Sequence, residues 1–330
     1  MRLSSLHSPL AFLFCLPLLC HGLAINTSPF KPLTLANTTS LPLNDPIAPG
    51  FDIHFEAHPE WGTLAELTIY RATLRMLINQ ALLGFHDQQG TTSFVFGSSL
   101  RLQFFASTPA RTIERRILVW GLFFSLITSA ANDEWTAGTW ILFYNGVKQG
   151  VLIFSHPGYH PLAANESLID ENYVDDRGNA QTLTSNSTQL KLGAQAPQPN
   201  LYGLSFHEAW GGIHLSNADF YCPVATMLLR AAVPDSGARL LGMGEVHFGD
   251  KMVLDADDAD RVDPPFFTWA MIIRALEYMV NMAAEYEIWK DWQVQVMYEQ
   301  PYRVGIFVGG LSLSDAGAVK VDGAAQIASS

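Results

Sequence analysis

Thr139-Trp140-Ile141-Leu142-Phe143-Tyr144-Asn145-Gly146-Val147-Lys148-Gln149-Gly150-Val151-Leu152-Ile153-Phe154 is two mainly apolar runs on either side of Asn145-Gly146. Asn-Gly between runs rich in aromatic and β-branched residues is the strongest short hairpin signal, because both turn positions can take positive φ. The stretch therefore reads as a tryptophan-led hairpin. Its apolar residues fall on both parities, as they also do at Phe94-Val95-Phe96 and Phe104-Phe105. A sheet apolar on both faces needs a second layer. The two expected sources of one are a second sheet packed on the first, or the N-terminal segment.

Upstream, the pattern supplies the rest of a unit. Asp52 to Ala57 alternates as a half-buried strand should. Leu67, Tyr70, Leu74, Leu77, Ile78 and Ala81 share one helical face. Thr92–Phe96 and Leu100–Phe105 are two short strands about Gly97-Ser98, a turn that needs a positive φ. Thr108-Pro109 predicts an N-cap and first helical position. The helix it opens runs through Trp120 to about Ala131 and is apolar nearly all round, so it should be covered on several sides.

The same landmarks recur about 150 residues on. Glu56-Ala57 is answered by Glu208-Ala209, Trp61 by Trp210, Tyr70 by Tyr221, and Ala72-Thr73 by Ala225-Thr226. Phe96-Gly97 is answered by Phe248-Gly249, Trp120 by Trp269, Trp140 by Trp292, and Ile153-Phe154 by Ile306-Phe307. Asp263-Pro264 stands where Thr108-Pro109 stood, and Trp292 to Val296 alternates cleanly. Identities are sparse; the alternative is chance agreement between two unrelated α+β domains. The expected fold is α+β, with two tandem β-α-β-β-α-β-β units. Their first six elements have ferredoxin-like order plus an extra hairpin strand, in antiparallel sheets with helices on one face.

The boundaries follow. Residues 1–24 read as a signal peptide, with Arg2 before the apolar Leu10–Leu19 and small residues at Gly22-Leu23-Ala24. That apolar run is too short for a bilayer, so no membrane span is expected in the mature chain. Residues 25–49 are an extended N-terminal segment, 50–158 the first unit, 159–202 an irregular glycosylatable linker, 203–310 the second unit, and 311–330 a flexible Gly/Ala/Ser tail. Sequons at Asn26, Asn37, Asn165 and Asn186 all lie in segments expected to be exposed. The expected location is secreted, extracellular.

With 19 Lys and Arg against 31 Asp and Glu, the formal net charge is −12. Such a balance argues against nucleic acid as a partner. Cys15 and Cys20 leave with the leader, so Cys222 has no intrachain disulfide partner; an apolar setting favours a buried, inert thiol over a reactive one.

The signal peptide, the Asn/Thr/Pro-rich entry, the apolar helix around Trp120 or Trp269, and the hairpins ending in Gly150-Val151-Leu152-Ile153-Phe154 or Val304-Gly305-Ile306-Phe307 resemble secreted proteins of filamentous fungi. That resemblance covers most of the mature chain through loose motifs and implies no particular activity. Element order alone is also similar to the plait-like folds of secreted fungal killer toxins and effectors, which are typically disulfide-bonded.

Chemistry is sparse. The chain has no nucleophile elbow, phosphate-cradling glycine loop, dinucleotide fingerprint or His-Glu-x-x-His, so no cofactor is expected. Glu56 and Glu208, at matched letters, are the candidate acid–base pair, and Trp61 and Trp210 could stack on sugars. Matched residues in repeats otherwise mark shared folding needs. Asp255, Asp257, Asp258 and Asp260 are candidate calcium ligands without the central glycine and terminal glutamate of the usual loop; the plainer reading is a solvated acidic loop near a helix start. His54/His58 and His156/His160 have helical metal-ligand spacing on segments that read as strand and loop. The leading expectation is a non-enzymatic extracellular binding protein with a glycan or protein ligand. The alternatives are a secreted hydrolase with a carboxylate site between the units, and a secreted toxin or effector.

Overall fold

A computed structural model describes residues 50–108, 110–159, 203–249, 252–299 and 305–316. The leader, the N-terminal segment, nearly all of the linker, the four sequons, His160 and the tail beyond 316 lie outside the described residues. In the first half the elements are β1 (Phe51–Ala57), a 3-10 turn (Pro59–Trp61), α1 (Glu66–Ala81), β2 (Gln88–Gln89), β3 (Thr92–Phe96), β4 (Leu100–Ala106), β5 (Ile113–Glu114), α2 (Arg115–Asn132), β6 (Gly138–Tyr144) and β7 (Val147–Ser155). In the second they are β8 (Leu204–His214), α3 (Asn217–Ala232), β9 (Gly244–Phe248), β10 (Met252–Asp258), α4 (Trp269–Tyr286), β11 (Lys290–Tyr298) and β12 (Ile306–Asp315). Both halves carry the β-α-β-β-α-β-β order; the first adds the small β2–β5 ladder. The last strand continues past the expected start of the tail at Leu311.

The hairpin that opens the fold forms as read. Asn145 and Gly146 sit at φ of 52° and 73°, the sign a type I′ turn needs at both positions. Gly97 and Gly249 close the matching β3–β4 and β9–β10 turns at φ of 58° and 60°, a region where a side chain would be strained.

The two proline signals do not start helices. Helix α2 begins at Arg115, because Ile113-Glu114 is first held in a ladder with Gln88-Gln89, while the Thr108 hydroxyl donates to the Thr112 carbonyl across a turn. Helix α4 begins at Trp269, with the Thr268 hydroxyl accepting from the Met271 amide at 3.4 Å. Asp263 and Pro265 instead offer their carbonyls to the Arg261 guanidinium. Both helices end alike: Asp133 and Glu287 take left-handed φ of 50° and 54°, and their amides donate to Ser129 and Ala283.

The two five-stranded sheets have one topology, β1-β6-β7-β4-β3 and β8-β11-β12-β10-β9, antiparallel throughout. The extra strand of each unit is therefore central rather than appended at an edge, and the first strand is an edge. A matched row crosses each inner face: Phe55, Trp140, Leu152 and Phe104 in one, Trp210, Trp292, Leu313 and Leu254 in the other. Trp140, Leu152, Phe104, Trp292, Leu313 and Leu254 are at most 2 % exposed.

The sheets do not pack on each other. Helices α1 and α2 cover one inner face, α3 and α4 the other, and the helical layers meet, α1 on α3, α2 on α3 and α1 on α4. One continuous apolar core results, shared by the two halves. The outer faces differ. That of the first sheet carries Ile141, Phe143, Phe105, Val151 and Ile153, whereas that of the second carries Gln293, Gln295, Ser312, Asp255 and Asp257.

At the centre of the helical layers equivalent residues touch. Tyr70 and Tyr221, each the fifth residue of its helix, are fully buried and stack at 5.1 Å with 21° between their rings. Behind each sits an equivalent tryptophan. Trp135 packs on Tyr70, and Trp289 donates its indole N–H to the Tyr221 hydroxyl at 3.2 Å.

Candidate functional site

Glu56 and Glu208 are not brought together. Glu56 alternates with Phe55, whose ring packs on Trp140, so Glu56 points out of the first sheet. Glu208 alternates with the outward-facing His207 and faces α4, where it accepts a 2.7 Å hydrogen bond from the Tyr278 hydroxyl. Burial, reinforced by this carboxylate, pushes Tyr278 up to about 12. The matched letters are not matched positions: across the paired strands, Ile53 rather than Glu56 occupies the place of Glu208.

The acidic cluster is mostly strand, not loop. Along β10 alternation sends Asp255 and Asp257 outward and Asp258 inward, where Arg239 binds its carboxylate at 3.0 and 3.1 Å. Asp260 follows at φ 50°, its amide donating to Asp258. The helix start lies further on in the chain, at Trp269. Among the described residues no three His, Cys, Asp or Glu are grouped to hold a metal ion.

His54, His58 and the sugar-stacking candidates have defined places. His54 bonds Asp52 at 2.9 Å and lies edge-on to Phe143. His58 stacks on Trp61, which Tyr159 covers from another direction, leaving Trp61 4 % exposed and closed to a sugar. Trp210 sits half-buried in the inner row of its sheet. Cys222 is fully buried, and burial pushes its thiol up to about 12, far from the reactive range.

What the halves do build together is a narrow cleft between α1 and α4. Arg71, Arg75 and Ile78 form one wall, Glu277, Val280 and Asn281 the other, and Phe96 closes one end. The Arg71 guanidinium lies over the Phe96 ring, 5.4 Å from its centroid, a geometry that holds the cation flat. Glu277 is already paired with Arg274 at 2.5 Å. Neither Arg71 nor Arg75 has an ion-pair partner among the described residues. Like charges four apart on a helix repel by about 0.2–0.5 kcal/mol, so the pair is a small standing cost to the fold.

The duplication provides an internal control. Counting from the equal starts of α1 and α3, Arg71 corresponds to Cys222, Arg75 to Thr226 and Ile78 to Leu229. Counting likewise along α2 and α4, Glu277 corresponds to Phe123, Val280 to Leu126 and Asn281 to Ile127. All of those counterparts are at most 4 % exposed. The same scaffold position is thus closed and almost wholly apolar on one side, open and cationic on the other. The sequence shows two arginines four apart on an otherwise apolar face; their lack of partners and the closed counterpart need the fold.

No family model matches this chain, and no curated protein matches it. Among solved structures, it is aligned with the tandem DUF26 ectodomain of the Arabidopsis thaliana cysteine-rich receptor-like protein PDLP8 at 9 % identity and a TM-score of 0.22, over 80 % of this chain and 98 % of that one. No helix among the described residues is long and apolar enough to cross a membrane.

Proposed function

We propose that this is a secreted, non-enzymatic binding protein whose duplicated scaffold presents the cleft between its halves to an extracellular ligand. The observation that carries the reading is the separation of the candidate carboxylates: Glu56 on the outer face of one sheet, Glu208 on the inner face of the other, tied to Tyr278. Acid–base hydrolysis of a glycoside needs two carboxyl groups flanking one bond, and this pair cannot flank one. Secretion is supported by the N-terminal leader pattern and the four sequons.

The test is a glycan array read twice, once for retained protein and once for released reducing ends. Retention without release is expected, and Glu56→Gln leaves retention unchanged. Reducing ends that appear with the wild type and vanish in Glu56→Gln would establish the hydrolase reading instead.

A further inference from the structure

We infer that the cleft between α1 and α4 binds an oxyanion, a carboxylate or sulfate ester carried on a sugar. The inference rests on the binding reading above and names the chemistry of its site. Two guanidinium groups one helical turn apart, without carboxylate partners among the described residues, can each direct N–H donors at the same oxyanion. Arg71 is held against Phe96, and Glu277, the carboxylate on the facing wall, is engaged by Arg274 rather than by Arg75. Asn281 on the facing wall offers a donor and an acceptor suited to a hydroxyl beside the charged group.

The paired position in the other half is the strongest support. There Cys222, Thr226, Phe123 and Ile127 fill the same place and are buried. Folding therefore does not require arginine at this point of the unit. The cations also run against the whole chain, which carries a formal charge of −12. Long-range attraction of an anion is consequently absent, and recognition must act within about 8 Å, the screening length at physiological salt.

The experiment is calorimetric titration of the full chain with glucuronate, glucose 6-sulfate and neutral glucose at constant ionic strength. Binding of at least one charged sugar is expected, with none for glucose. Arg75→Gln, an exposed position, should keep the thermal midpoint and weaken binding about ten-fold, as loss of one charge-assisted hydrogen bond implies. Arg71→Gln should weaken it likewise. Preference between the two charged sugars separates carboxylate from sulfate ester. The inference is overturned if neither charged sugar binds, or if both variants bind as the wild type does. Neutral glycans retained on the array equally by wild type and Arg75→Gln would also overturn it while leaving the binding reading intact; glycan turnover would overturn that reading.

Discussion

Tyr70, Tyr221, Cys222 and Tyr278 form a set of weak acids whose proton release the fold opposes. Burial is the largest cause in every case; the Cys222 thiol beside Tyr70 adds to it there, and Glu208 adds to it at Tyr278. Each has a folded value above the unfolded one, which is 9.0 for the thiol and 10.0 for the phenols. A raised acid stabilises the fold fully below its unfolded value and loses that contribution as pH climbs toward the folded one. The urea midpoint should therefore hold up to about pH 9 and fall steadily toward pH 12. Tyr278→Phe should make that fall shallower; an unchanged slope would mean the Glu208 bond does not set it. At this scale the sequence was a fair guide to burial and a poor one to equivalence. Tyr70 and Tyr221 match both in sequence order and in place. Glu56 and Glu208 share a letter and not a place, because β1 and β8 meet their partner strands in different registers.

Helices and strands were legible where one local device determines them. Asn145-Gly146, Gly97 and Gly249 each announce a turn that little else can make. The helix starts were not legible, since Thr108-Pro109 and Asp263-Pro264 have the chemistry of caps but lead into turns held by Thr112 and Arg261. Nor does any local signal show that β7 and β12 lie in the middle of their sheets; that is decided by pairing between strands distant in sequence. Gly309 of β12 is a point where that pairing is tight. A Cβ there would meet the Phe267 ring and come within 2.6 Å of the Asp257 carbonyl. Gly309→Ala should cost about 1–3 kcal/mol through overpacking. Gly212→Ala in β8, where a Cβ meets nothing within 4 Å, should stay within about 0.5 kcal/mol. Equal denaturation midpoints for the two variants would show that the β12 contact is relaxed in solution.

In the whole molecule the halves share what each would otherwise lack. An all-round apolar α2 signalled cover on several sides without saying what supplied it; the answer is α3, from the other half. The candidate site was opaque for the same reason, since its walls lie about 200 residues apart in the chain. Residues 50–159 expressed alone would expose the faces of α1 and α2 that α3 and α4 cover. Such a fragment should run as a dimer or larger species in light scattering at micromolar concentration and regain a monomer-sized complex on mixing with residues 203–316. A monomeric fragment with a sharp, concentration-independent melt would show that the helical interface is dispensable.

The stacking of Tyr70 on Tyr221 has one more consequence. A residue that meets its own counterpart marks the axis of an isologous contact, the arrangement two identical chains adopt when they pair. In such a pair every substitution is entered on both sides of the axis: an arginine at position 71 or 75 would recur in the second copy, opening both positions and doubling the charge at the centre. Writing the two copies into one polypeptide removes that constraint. One side of the axis can stay sealed by Cys222 and Thr226 and hold the molecule together, while the other is free to become polar. Covalent linkage of the halves thus does more than raise their effective concentration; it permits asymmetry, and the cationic cleft is where this molecule has used it.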